Sequence, residues 1–314
     1  MLKKIINIVL ILCTITSCAQ KNISDKEMET IIKTAYEQTP KHEKQPMYAI
    51  QVDKKGCRAS LWVNDFNVDD YWYKGGYTIT ETISSFIIKS GKQTITLKVY
   101  PRDGAEYIDD RAFVALELIY VPQKGCDMDK YQLLQTIKLP EGLAEKKLPY
   151  FEMTIPFEAK VPWDHSAFYN NLQDLRDIPN ITQKILAEYK KYLVIIENNQ
   201  QQVYIEKKFK NKKYEFEANY VNEEDINEYM KSYLKQTSPL KNKEVIFLDT
   251  EYEIVYELDG RIASLVSKSD REGIIRIYYG DVITEGEHEG KKQSELTIGF
   301  KLVLPKNKTE LESL

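Results

Sequence analysis

The sequence has no HExxH zinc-peptidase string, no glycine-lysine phosphate loop and no Rossmann glycine pattern, which weakens several enzyme classes. It also lacks a basic excess. The 44 lysines and arginines face 48 acidic residues, a net charge of -4 that offers no general electrostatic pull on nucleic acid. Cysteine and histidine are sparse, at four and three residues, and give little material for a Cys/His metal centre. Beyond the N-terminus no apolar run is long enough to cross a bilayer as a helix. What the chain does have is enough apolar material, 42%, to build a core. Its 314 residues fit about two domains of roughly 150 residues each.

The first residues are the most informative. Lys3 and Lys4 precede an apolar run from Ile5 to Cys13, interrupted only by Asn7. At 1.5 Å per helical residue such a run is far shorter than the roughly 30 Å of membrane hydrocarbon, so it reads as an export signal, not a span. The following Ile15-Thr16-Ser17-Cys18 resembles the lipobox of bacterial lipoproteins. That resemblance implies cleavage after residue 17, an acylated Cys18 at the new N-terminus, and a place in the bacterial cell envelope. The outer membrane is the expected address, with the body facing the periplasm or the surface. Cleavage removes two lysines and no acid, leaving a mature charge of -6, so lipid chains and not charge would supply the membrane affinity.

The expected organisation is a signal peptide at 1–17, then a lipidated N-terminus, tether and short helix at 18–44. A β-sandwich-like domain at 45–160 and an α+β domain at 161–314 follow. Ser24 and Glu27 form a capping-box pattern, and Met28, Ile31, Ile32 and Ala35 fall on one face, predicting a helix near 25–37. It could serve as a spacer or pack on the first domain.

From Met47 to Val121 short alternating segments predict strands, with Phe113 to Val121 the strongest. The string SLWVNDFNV, the Gly75-Gly76 turn and SGKQTITLKVYP together resemble the immunoglobulin-like or lectin-like β-sandwich modules of secreted proteins. The resemblance implies an antiparallel sandwich over about 75 residues. A strand at 150–156 could complete it, as an edge, because its proline lacks a ladder donor.

The second region is expected to be α+β, with two helices and an antiparallel sheet. Asn180 and Ile185, Tyr189, Leu193 and Ile196 predict a helix over 181–197, and Asn222 caps another carrying Ile226, Tyr229, Met230, Tyr233 and Leu234. Between them, Val203 to Phe209 and Tyr214 to Tyr220 alternate around a polar turn and predict a hairpin. Asp259-Gly260 predicts a tight turn between Glu251–Leu258 and Ile262–Val266. Strands are expected at 274–279 and 295–304, the latter placing Leu296, Ile298, Phe300, Leu302 and Leu304 on one face.

Candidate sites are few. If Cys13 leaves with the signal and Cys18 carries lipid, Cys57 and Cys126 remain, either as one disulfide closing a loop of about 70 residues or as separate thiols. Tyr71, Trp72 and Tyr73 beside the Gly-Gly turn form a candidate partner or ligand surface, with core packing as the alternative. Asp164-His165-Ser166 has hydrolase residue types without a nucleophile turn. Asp65, Asp69 and Asp70, or Glu285, Glu287, His288 and Glu289, could offer oxygen ligands, although neither set defines a coordination shell, and the metal remains unknown. No cofactor is expected. The composite expectation is a lipid-anchored, non-catalytic protein-binding or structural module. An inhibitor or immunity protein is one version. A glycan-binding lipoprotein in nutrient handling and an envelope hydrolase with an unfamiliar site are the alternatives.

Overall fold

The computed structural model describes residues 23–285 and 288–314. The expected signal peptide and Cys18 lie outside the described residues, as does Glu287. The described chain is mostly β, with the helices gathered chiefly in its second half, as the sequence predicts.

Helix α1 spans Asp25–Gln38 and begins with the predicted capping box: Ser24 accepts from the Glu27 amide while the Glu27 carboxylate accepts from the Ser24 amide. Strands β1 (Met47–Lys55), β2 (Cys57–Val63), β3 (Phe66–Tyr71), β4 (Tyr77–Thr82), β5 (Lys89–Pro101), β6 (Phe113–Val121), β7 (Gln132–Lys138) and β8 (Phe151–Asp164) follow. They form two antiparallel sheets, ordered β4-β1-β6-β7 and β3-β2-β5-β8. One core joins them, with Ile50, Val52, Leu116 and Leu118 from the first sheet and Ala59, Leu61, Ile95 and Leu97 from the second. This is the two-layer packing that alternating burial requires. Asn64 and Asp65, both at positive φ, make the two-residue turn between β2 and β3. Strand β8 is an edge, as expected, and runs on past residue 160 to Asp164.

The helices α2 (Ser166–Asn170), α3 (Ile181–Glu197), α4 (Gln201–Phe209), α5 (Lys213–Ala218) and α6 (Glu223–Gln236) come next. The expected hairpin over 203–220 is instead the helix pair α4 and α5. Tyr204, Ile205 and Lys208 are buried on α4, and Phe216, Glu217 and Ala218 on α5. A seven-residue apolar-polar segment fits either period, and packing between α3 and α6 selects the helix. Helix α6 carries a second capping box, Asn222 with Asp225. Ile32, Ala35 and Tyr36 of α1 pack on the cluster of Phe216, Val221 and Ile226, so α1 is part of the folded body.

Strands β9 (Glu244–Phe247), β10 (Tyr252–Glu257), β11 (Ile262–Ser267), β12 (Ile275–Val282), β13 (Lys292–Ile298), β14 (Leu302–Val303) and β15 (Glu312–Ser313) complete the chain. They form two antiparallel sheets, β13-β12-β9 and β10-β11-β14-β15. The single strand expected over 295–304 is therefore broken at Gly299–Lys301, with its two parts in different sheets. Its apolar residues still share one core with Ile185, Tyr189, Tyr192 and Ile196 of α3. The two halves meet turn on turn: the Asp259 amide donates to Asp65 Oδ2 at 2.6 Å and the Leu258 amide to the Asp65 carbonyl at 3.0 Å.

Candidate functional site

A cleft of about 1110 Å³ opens between the sandwich and the helices. Phe66 and Val68 of β3 and Thr80 and Thr82 of β4 line it from the sandwich, and Lys208, Glu215, Tyr229, Ser232 and Tyr233 from the helices. The Gly299–Lys301 break completes the lining. That break matters because it turns Phe300 into the helical layer. The Phe300 ring stacks on Tyr189 at 4.0 Å and lies 4.1 Å from Tyr192, while Tyr189 Oη donates to the Phe300 carbonyl and accepts from the Leu265 amide.

Four lysines reach the cleft, and three are matched by acids. Lys124 pairs with Asp225 at 2.8 Å, Lys212 with Glu215 at 2.5 Å, and Lys301 with Glu257 at 2.7 Å. Glu257 also accepts from the amide of Asn67 on β3, so that buried pair ties the sandwich to the C-terminal sheets. Burial raises the Glu257 pKa, opposed by Lys301. The fourth, Lys208, is only 6% exposed. Its ammonium lies 4.7 Å from the Phe300 centroid and 5.5, 5.6 and 5.7 Å from those of Tyr192, Tyr204 and Tyr233. Burial first, and Lys212 second, bring its pKa down to about 7, with Glu215 opposing. Nothing in the sequence singles out Lys208, because its setting is assembled from α3, α4, α6 and the strand break.

Beside the cleft, Glu217 bridges two histidines. Its Oε1 is 2.8 Å from His42 Nε2 and its Oε2 is 3.0 Å from His165 Nε2. His165 stacks on Trp163 at 5.8 Å, and the Trp163 indole donates to the Ile87 carbonyl. Burial lowers the His165 pKa against the opposing pull of Glu217. Asp164 instead accepts from the Ser166 amide. Asp164, His165 and Ser166 thus form no catalytic relay, and the group held is a structural bridge from the N-terminal segment to α5.

The aromatic triplet does not form one surface. Tyr71 is fully buried, and among the described residues its hydroxyl has no hydrogen-bond partner. Trp72 is half-buried between Arg58 and Arg271 at 5.1 and 5.5 Å and packs on Tyr100 at 5.0 Å. Tyr73 is exposed, with its hydroxyl bonded to Glu272 and its carbonyl accepting from Lys54 at 2.6 Å. Strand β3 ends at Tyr71, which stays in the sandwich core, while Trp72 and Tyr73 follow in the loop beyond it. The row continues from Tyr100 to Tyr150, but successive rings tilt by 57° and 50° and offer no flat stacking platform.

Cys57 and Cys126 are free thiols. Of the two alternatives left open by the sequence, the structure has the separate thiols, and β6 gives the reason. Cys57 Sγ lies 3.8 Å from the carbonyl of Phe113 at one end of that strand, whereas Cys126 follows Val121 at the other, where Lys124 bonds Gln45. Nine strand residues span about 27 Å, while a disulfide needs Cα atoms within about 7 Å. The aspartate set is also dispersed: Asp65 holds the Asp259 amide, Asp69 that of Asp70, and Asp70 the Ser60 hydroxyl and Arg271. Among the described residues no three His, Cys, Asp or Glu side chains gather as metal ligands, and no helix is long and apolar enough to cross a membrane. Glu285, His288 and Glu289 lie around a loop whose Glu287 is outside the described residues.

No known protein family, curated protein or solved structure matches the chain.

Proposed function

We propose that the mature chain is held at the bacterial envelope by lipid on Cys18 and acts as a non-catalytic binding protein, receiving a segment of another envelope protein in the central cleft. The cleft itself carries this reading. At about 1110 Å³ it exceeds the roughly 300–1,000 Å³ typical of small-molecule pockets. It mixes aromatic side chains with charged groups that are mostly neutralised within the fold, a combination suited to recognition of a polypeptide segment. An inhibitor or immunity protein would be one form of such a binder, with tethering raising its local concentration.

Two measurements on native protein test the two parts separately. Intact mass should show a chain that starts at Cys18 and carries acyl groups; a retained Met1 or an unmodified Cys18 would overturn the anchoring. Crosslinking in envelopes followed by affinity capture should recover a discrete protein complex. Recovery of no specific protein would overturn the binding role.

A further inference from the structure

We infer that the central cleft contains a carboxylate-binding site at Lys208, in which a ligand's carboxylate meets the ammonium while its apolar body lies against the neighbouring aromatic rings. The inference deepens the binding reading above and rests on it for the choice of cleft. Lys208 lines the cleft while remaining 94% shielded from solvent, the complement of its 6% exposure. Among the described residues no carboxylate or carbonyl accepts a hydrogen bond from it. The other three cleft lysines each have an acid within 2.8 Å. A buried ammonium without an anion is costly, and an entering anion removes that cost.

The charge count favours a monoanion. Glu215, Asp225 and Glu257 are already matched, Glu228 pairs with Lys231, and Glu81 adds negative charge to the lining. A phosphate dianion would therefore bring one charge more than Lys208 can balance, whereas a carboxylate brings one. Phe300, Tyr192, Tyr204 and Tyr233 supply an aromatic surround suited to an apolar body beside that charge.

Protonation is coupled to such binding. The titratable groups facing Lys208 are Tyr192 from α3, Tyr204 from its own helix, Tyr233 from α6, and Lys212 with Glu215 at α5. All three phenols have raised pKa values, chiefly from burial, and stay neutral. Lys212 is raised by Glu215 against its burial and stays charged. Lys208, with its pKa brought down to about 7, is the group free to take up a proton when an anion arrives.

Calorimetry of the purified full-length mature protein with benzoate, and with neutral benzamide, tests this. Benzoate should bind at least about tenfold more tightly than benzamide. At pH 8 its binding should take up close to one proton, read from buffers of different ionisation enthalpy. Lys208→Met, checked for folding by circular dichroism, should lose both the preference and the proton uptake, and Lys138→Met, at an exposed position of β7 outside the cleft lining, should retain them. Equal affinity for the two probes, no benzoate binding at about 10 mM, or unchanged binding by Lys208→Met would overturn the site. Protein capture through the cleft without benzoate binding would refute this inference alone. Benzoate binding without any captured protein would refute the protein-binding role and leave a small-carboxylate site.

Discussion

The Lys208 ammonium lies 4.7 Å from the centre of the Phe300 ring, facing an aromatic surface where other cleft lysines face carboxylates. Its pKa falls from 10.5 in the unfolded chain to about 7 in the fold. Between those values the unfolded state binds more protons, so stability rises with pH from about 7 to 10.5 and is withheld below that window. Lys208→Met fills similar volume without charge. It should stabilise the ligand-free protein by about 1–4 kcal/mol near neutral pH and flatten this alkaline rise. Urea melts at several pH values would measure both effects.

Glu217 should set the acid side. His165 titrates below its ordinary 6.5 because burial outweighs Glu217. Below 6.5 the unfolded chain takes up protons first, so the stability contributed by neutral His165 is lost as pH falls toward the lower folded value. Glu217→Gln removes the charge that favours the imidazolium. NMR titration should then show the His165 pKa lower still, with a net cost of about 1–3 kcal/mol for the disturbed buried bridge. An unchanged or raised His165 pKa would contradict the bridge.

Gly260 should tolerate no side chain. It has φ +82°, and an added Cβ would overlap the side chains of Asp174 and of Arg176, which holds the turn after β10 through the carbonyl and carboxylate of Asp259. Gly260→Ala should cost about 1–3 kcal/mol, seen as a lower urea midpoint with an unchanged slope.

Much of this architecture was legible locally. The Ser24–Glu27 and Asn222–Asp225 caps, the Asn64-Asp65 turn and strand β6 are each decided by residues within a few positions of one another. Long-range decisions were not. Val203–Phe209 satisfies either a strand or a helix period until α3 and α6 pack on it, and Gly299 breaks an alternation that otherwise reads as one strand. Lys208 looks like a surface lysine of a polar stretch, since the rings around it come from residues 192 to 300. The cysteine pairing stayed open in the sequence because separation along the chain says nothing about which end of β6 each thiol occupies.

Thiol labelling should separate the two cysteines. Burial pushes the Cys57 pKa up to about 11, whereas Cys126 is partly exposed. In the native mature protein a maleimide should label Cys126 and spare Cys57; in denaturant it should label both. Failure to label either without a reductant, even in denaturant, would indicate the bridge that the fold excludes.

The most direct test of the anchored binder places a photo-crosslinking amino acid at Ser232, an exposed cleft position, in cells making the full chain. Glu158, exposed on the β8 edge away from the cleft lining, is the control. The account predicts a discrete envelope-protein adduct from position 232 and none from 158. No adduct from 232, or the same adducts from both, would contradict it.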